Sequence, residues 1–286
     1  MPAAPVSDVK PSNAVLVVED DPDLREFEVI VLRDGGYEVQ QCGSLAEAEA
    51  RLAERPFGLV LMDLNLPDGS GFDMLQRAVP AYPDTRFVVV TGDDASESVL
   101  RALRHSVYDY VVKPVSPDVL LEVAERAFLP DEAAAIEIIS ASPNWIELSL
   151  PCTRLAAARV DNFMRHLKSD LTPELRDDIG DAFRELLMNA VEWGGGLDPE
   201  RRVRVACLRT ARMVMYRIAD PGRGFRFEDL PHAAISNPCG ALEVSEVRER
   251  LGLRPGGLGL LLVEARADEL LYNDAHNEVV FIRYLN

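Results

Sequence analysis

The chain has 286 residues, room for two ordinary domains, and 48% of it is apolar, enough to build buried cores. Its formal net charge of −18 argues against general binding to nucleic acid or to an anionic membrane surface, since both need a basic face. The four cysteines (Cys42, Cys152, Cys207, Cys239) are scattered with no Cys-x-x-Cys pair, and read as reduced thiols of a cytoplasmic protein rather than a disulfide frame or zinc site. Residues 1–13 read as a disordered leader without the apolar core of a signal peptide, and no run reaches membrane-spanning length.

The first strand is the apolar run Val15–Val18, followed at once by Glu19, Asp20 and Asp21. Asp23 to Gly36 has helical spacing and a Gly-Gly stop; Tyr37 to Gln41 is a short strand. Ser44 is a good N-cap for a helix to Glu54. Leu59–Met62 is a third strand, bounded by Pro56 and Gly58 before it and by Pro67, Asp68 and Gly69 after it, and Asp63 stands at its carboxyl end. Gly71 to Ala81 is a weaker helix. Phe87–Val90 ends in Thr91, Asp94 to His105 is helical, and Tyr108–Val112 ends in Lys113-Pro114. Ser116-Pro117 opens a last helix to about Phe128, with proline at its first position. Alternating strands and helices of these lengths predict a doubly wound, flavodoxin-like parallel sheet of five strands.

A carboxylate inside a sheet is costly, but the carboxyl edge of an open α/β sheet is where ligands bind. Glu19, Asp20 and Asp63 are hard oxygen donors suited to magnesium. Asp63 can act as a carboxylate nucleophile toward phosphorus, with the Thr91 hydroxyl and Lys113 ammonium binding the phosphoryl oxygens. Any one of these is explained as a strand-capping polar residue; four successive strand ends are not. Residues 14–128 resemble the receiver domain of bacterial response regulators. The resemblance implies Asp63 as phospho-acceptor, Glu19 and Asp20 as the acidic pair, and Thr91 and Lys113 as switch residues. It further implies Tyr110 as a rotating aromatic, the Asn65 carbonyl as a magnesium ligand, and a sensor histidine kinase as partner.

Residues 129–136 are a linker, alanine-rich enough to continue the preceding helix; a passive tether is the equal alternative. Trp145 to Leu150 alternates as a strand, and Thr153 to Lys168 is a helix. His166 on that helix, beside Met164 and Leu167, reads first as a structural histidine rather than a phospho-acceptor. Thr172-Pro173 opens a long helix that stops at Gly194-Gly195-Gly196 and places Glu185, Asn189 and Glu192 on one face. Arg202 to Leu208 and Met213 to Ala219 form a hairpin. An irregular stretch runs from about 221 to 255. Gly257 to Ala267 is a helix; Glu269 to Tyr272 and Val279 to Tyr284 close the sheet.

Three spots here carry chemistry: the acid and amide on the long helix, the glycine turn Asp220-Pro-Gly-Arg-Gly, and the glycine-rich helix start at Gly257. Alone, the first reads as a solvated stripe and the second as a turn. Their order resembles the ATP-binding domain shared by histidine kinases, gyrase and the anti-sigma-factor serine kinases, the last being the nearest, over residues 137–286. The resemblance implies an α/β two-layer sandwich of the GHKL type. It implies Glu185 as general base, Asn189 holding magnesium against ATP, Asp220 on the adenine, Gly222 and Gly224 shaping that wall, and Gly257 and Gly259 cradling phosphates. The histidine that family often has after the acid at Glu192 is here Trp193. Arg250 and Arg254 read as surface arginines before phosphate contacts.

The sequence therefore reads as a response regulator whose output is an ATP-dependent protein-serine kinase domain, acting on an anti-anti-sigma protein or a sigma factor. The alternative is a phosphorylation-controlled binding module that holds ATP without transferring phosphate. Related domains pair through their ATP domains and last receiver helices, which implies a homodimer. No helix-turn-helix is evident, and neither nucleic acid nor membrane is an expected partner.

Overall fold

The computed structural model describes residues 13–130, 135–168, 170–224 and 259–285. The chain divides into two units, Met1–Pro130 and Asp131–Asn286.

The first unit holds a parallel sheet of β1 (Ala14–Val18), β2 (Glu38–Cys42), β3 (Leu59–Met62), β6 (Arg86–Thr91) and β7 (Asp109–Val112), in the order β2-β1-β3-β6-β7. β1 and β3 are buried at every residue, as the continuous apolar runs require when helices cover both faces. α1 (Pro22–Asp34) and α5 (Pro117–Phe128) bring Val29, Leu32, Leu120, Val123 and Ala124 into one cluster with Val15, Val17, Leu61 and Val90. α2 (Leu45–Glu54), α3 (Gly71–Ala81) and α4 (Ser96–Arg104) complete the alternation. Helix starts follow their capping chemistry. Asp21 accepts from the Asp23 and Leu24 amides before Pro22-led α1, and Ser116 accepts from Val119 before Pro117-led α5. α5 ends at Phe128, and Leu129 turns extended (φ −62°, ψ 142°), so the helix does not run on through Leu129 into the linker.

A small hairpin, β4 (Asn65–Leu66) with β5 (Gly69–Ser70), follows β3; two-residue strands are too short to show in the sequence pattern. Asp68 at its tip accepts from the Leu45 and Ala46 amides (both 2.9 Å), adding a second cap to α2 beside Ser44. Those amide bonds hold the Asp68 carboxyl below its usual range.

The second unit is an antiparallel sheet of six strands in the order β12-β13-β11-β10-β9-β8. These are β8 (Glu137–Ser142), β9 (Trp145–Pro151), β10 (Arg202–Arg209), β11 (Met213–Ala219), β12 (Glu269–Tyr272) and β13 (Glu278–Tyr284). β8 is an edge strand with a register shift between Ile138 and Ser140; its Ser-Ala-Ser end lacks the apolar alternation that reveals a strand. The helices are α6 (Arg154–His166), α7 (Pro173–Asn189) and α8 (Gly259–Arg266). Thr153 and Thr172 cap the first two as their sequences require. α7 does not run straight to its glycine stop: Ala190–Gly194 forms one π-helical turn.

The core joins Phe183 of α7 to Tyr216 of β11 (ring centroids 4.4 Å apart), and Tyr216 to Phe281 of β13. Lys168 is buried in the same place, and its Nζ donates to the Tyr216 hydroxyl at 2.8 Å. Burial pushes this ammonium down to about 8 from 10.5. The folded state thus sheds its proton before the unfolded chain does, and stability gains as pH rises from about 8 through 10.5. Lys168→Met is expected to stabilise this unit at pH 7 by up to about 3 kcal/mol, less the lost hydrogen bond. The margin over wild type should narrow across that alkaline window. Chemical denaturation of both proteins at several pH values checks it; an unchanged margin would contradict the assignment.

Candidate functional site

Each unit carries one candidate site. In the first, the carboxyl ends of β1 and β3 bring Glu19, Asp20 and Asp63 together, with carboxylate oxygens within 4.8 Å of one another. Glu19 and Asp63 are buried and Asp20 is exposed. Lys113, after β7, donates from Nζ to Glu19 Oε2 at 2.5 Å and to Asp63 Oδ2 at 2.6 Å. Three carboxylates against one ammonium leave an excess of negative charge among hard oxygen donors, a donor set that fits magnesium. Burial lifts the Glu19 carboxyl above its usual range. Burial also works against the Lys113 charge, but the hydrogen bonds to Asp63 and Glu19 outweigh it and hold the ammonium above its ordinary value.

Thr91, fully buried at the end of β6, accepts from the Asp93 amide at 3.4 Å. Its carbonyl accepts from the Lys113 amide at 2.8 Å, so the two switch candidates are backbone neighbours. Tyr110 is buried, and its hydroxyl donates to the Asp93 carbonyl at 2.5 Å. Asn65 opens the β4–β5 hairpin, and its amide donates to Asp63 Oδ1 at 3.2 Å. Gly71 explains how closely α3 begins against this loop: a Cβ there would lie 2.5 Å from the Asp63 carbonyl oxygen.

In the second unit, α7 carries Glu185 and Asn189 one turn apart, just before the π-turn. Such turns are frequent at functional sites. Gly259, the first residue of α8, lies against Glu185, where a Cβ would come 2.0 Å from its Oε1. Asp220 follows β11, and its Oδ1 accepts from the Gly222 amide at 2.7 Å. A Cβ on Gly194 would meet the Asp220 Cγ at 2.2 Å, and one on Gly222 would meet its Oδ1 at 2.6 Å. Asp220 thus sits in a glycine cradle, and burial raises its carboxyl. These close backbone approaches beside an acid, an amide and a second acid fit a nucleotide. Gly224, at φ +78°, packs on the Ala275 carbonyl in the β12–β13 turn. Glu192 is drawn off to Arg154 (3.0 Å), and Trp193 is exposed. His166 is half-buried, and its Nδ1 sits 2.9 Å from the Asn162 carbonyl oxygen. Gly257, Arg250 and Arg254 lie outside the described residues.

A model of the response regulator receiver domain matches residues 15–125. A model of the histidine kinase-like ATPase domain matches residues 150–283. The chain joins a response regulator receiver domain to a histidine kinase-like ATPase domain. Response regulator protein PilR of Pseudomonas aeruginosa is 34% identical over 112 residues, covering 39% of this chain and 25% of that protein. The DNA-binding response regulator MtrA of Mycolicibacterium smegmatis is 29% identical over 181 residues, covering 63% of this chain and 78% of its own. Among solved structures, the non-phosphorylated HemR receiver domain from Leptospira biflexa is similar at 30% identity and a TM-score of 0.40, covering 44% of this chain and 99% of that one. The chain spans only 25–28% of the length of the first curated relatives it matches. No described helix is long and apolar enough to cross a membrane.

Several residues around the two sites carry no plain signal in the sequence. Glu28, on the inner face of α1 of the receiver domain, is buried, and burial followed by the charge of Glu19 lifts its carboxyl to about 7. Its one signal is an acid directly beside the core residue Val29. In the ATPase domain, Arg201 donates to the Gly195 and Pro221 carbonyls, and Asn277 Nδ2 donates to the Gly222 carbonyl at 3.0 Å. The bonds to Pro221 and Gly222 fix the Asp220 loop across 20 and 55 residues of sequence, which local pattern cannot reveal.

Proposed function

We propose that this protein is a response regulator whose receiver domain, phosphorylated on Asp63, controls an ATP-dependent protein-serine kinase domain of the anti-sigma type. The supporting observation is the abutment of Gly259 on the Glu185 carboxylate, one helical turn from Asn189, in a domain whose Asp220 lies in a glycine cradle. Phosphoryl transfer needs positioning and charge neutralisation more than covalent chemistry, and that is what this set of groups can supply.

In the receiver, a sensor histidine kinase is the phosphoryl donor. Asp63 Oδ attacks phosphorus as the bond to the donor nitrogen breaks. Lys113 and Thr91 take up the phosphoryl oxygens. Glu19, Asp20, Asp63 and the Asn65 carbonyl would hold magnesium, which supplies neutralisation of the developing charge. In the ATPase domain, Glu185 accepts the proton of a serine or threonine hydroxyl as that oxygen bonds to the γ-phosphorus and ADP leaves. Asn189 would hold the second magnesium and Asp220 the adenine amino group. Gly222 and Gly224 would shape the adenine wall, and Gly257 and Gly259 the phosphate cradle. The protein partner is an anti-anti-sigma protein or a sigma factor, and the working form a homodimer in the cytoplasm. The net charge counts against DNA as a direct partner.

The test is transfer of label from γ-labelled ATP, with magnesium, to a panel of anti-anti-sigma proteins. Label on a partner serine or threonine is expected. Partner binding with ATP bound and no label transferred would replace the kinase by a binding module.

A further inference from the structure

Gly259, the first described residue of α8, meets the candidate site at Glu185. Val263 is the helix's single buried side chain, while Leu261 and Leu262 are exposed. Apolar burial of α8 rests on Val263 and half-buried Leu260, and charge adds to it. Arg266, in the last turn, donates from Nη1 to Asp181 Oδ2 at 2.9 Å, and its Nε forms an ion pair with Asp178 Oδ1 at 2.9 Å. The two carboxylates are three residues apart on α7, so one planar guanidinium grips adjacent turns of the neighbouring helix. Asp181 is itself held from the other side, its Oδ1 accepting from Arg165 Nη2 of α6 at 3.0 Å. Gly180 leaves room for that arginine, since a Cβ there would come 2.6 Å from Arg165 Nη1. Arg165 and Arg184 both close on Asp161 Oδ2, at 3.2 and 2.7 Å. The charges tie three helices together through side chains the proposed chemistry does not use.

The spacing gives this tie its consequence. Arg266 lies seven residues after Gly259, and Asp178 lies seven residues before Glu185. Two helical segments of equal length, about 10 Å each at 1.5 Å per residue, thus run antiparallel, the ion pairs at one end and the Gly259–Glu185 contact at the other. Sliding of α8 along α7 would break both ends at once.

We infer that Arg266 is a positioning residue for the nucleotide site: its grip on Asp178 and Asp181 sets the register of α8 on α7 and so holds the Gly259 backbone at Glu185. This rests on the ATP-binding reading above. Partly exposed ion pairs add little to global stability, so losing them should act locally, at the start of α8.

The test uses the full chain, with ATP and magnesium as the probe. Arg266→Met is expected to weaken ATP binding in calorimetry about tenfold, to speed amide exchange over residues 259–266 without nucleotide, and to leave the thermal midpoint nearly unchanged. Arg266→Lys, which keeps the charge without the planar two-carboxylate fork, should fall between. Asp178→Asn should weaken binding and, combined with Arg266→Met, add little further. Equal affinity in wild type and Arg266→Met overturns the inference alone. If Arg266→Met fails to fold, unchanged affinity in Asp178→Asn and Arg266→Lys overturns it instead. Failure of the wild type to bind ATP overturns the nucleotide reading and this inference with it.

Discussion

A chain carrying Asp63→Asn is expected to take up no phosphate from a phosphorylated sensor kinase or from acetyl phosphate, where the wild type is labelled. An amide is not a nucleophile toward phosphorus, so the loss should be complete rather than partial. The fold should survive it. Asp63 Oδ1 accepts from the Leu64 and Asn65 amides, and an asparagine oxygen can accept the same two bonds. Lys113 loses one charged partner but keeps Glu19 at 2.5 Å. Intact-mass measurement after incubation with donor and magnesium reads the result directly. Labelling of the Asp63→Asn variant at the wild-type level would move the acceptor to another residue.

Glu185→Gln is expected to keep ATP binding and lose turnover by about 10²–10⁴-fold, the usual range for removing a positioned general base. Glutamine matches the shape of glutamate, so the close approach of Gly259 should be preserved while the proton acceptor is lost. The split between binding and turnover is the informative quantity, since loss of binding alone would mark Glu185 as a wall of the pocket. ATP consumption and label on a partner protein, measured beside ATP affinity, check it. Full turnover in the variant would remove Glu185 from the chemistry.

The receiver half is legible in the sequence because each of its parts has a local signature. Continuous apolar runs mark buried parallel strands, and Ser44 and Ser116 cap helices by bonds within three residues. The strand-end polar residues can be read as one site because an open α/β sheet gathers its carboxyl ends. What escapes is contact at a distance. Asp68 caps α2 from 22 and 23 residues away, and Arg201 and Asn277 brace the Asp220 loop from remote parts of the chain. In the ATPase half the glycine stop after α7 is plain, but the π-turn before it is not, because periodicity says where a helix ends and not how its last turn is wound. Glu28 is easily passed over, since a charged residue in a helix reads as solvent-facing until burial is known. The long separation between α7 and α8 likewise hides the pairing of Gly259 with Glu185, visible only once both helices are placed.

ATP binding to the intact chain is the quantity to measure first. Calorimetric titration with magnesium, on wild type and on Asn189→Ala, puts one residue of the proposed pocket against the full reading. Micromolar-range binding by the wild type that is lost in Asn189→Ala is the expected result, since Asn189 would hold magnesium against the phosphates. Absence of binding by the wild type, or unchanged affinity in the variant, would contradict the assignment of this pocket to ATP.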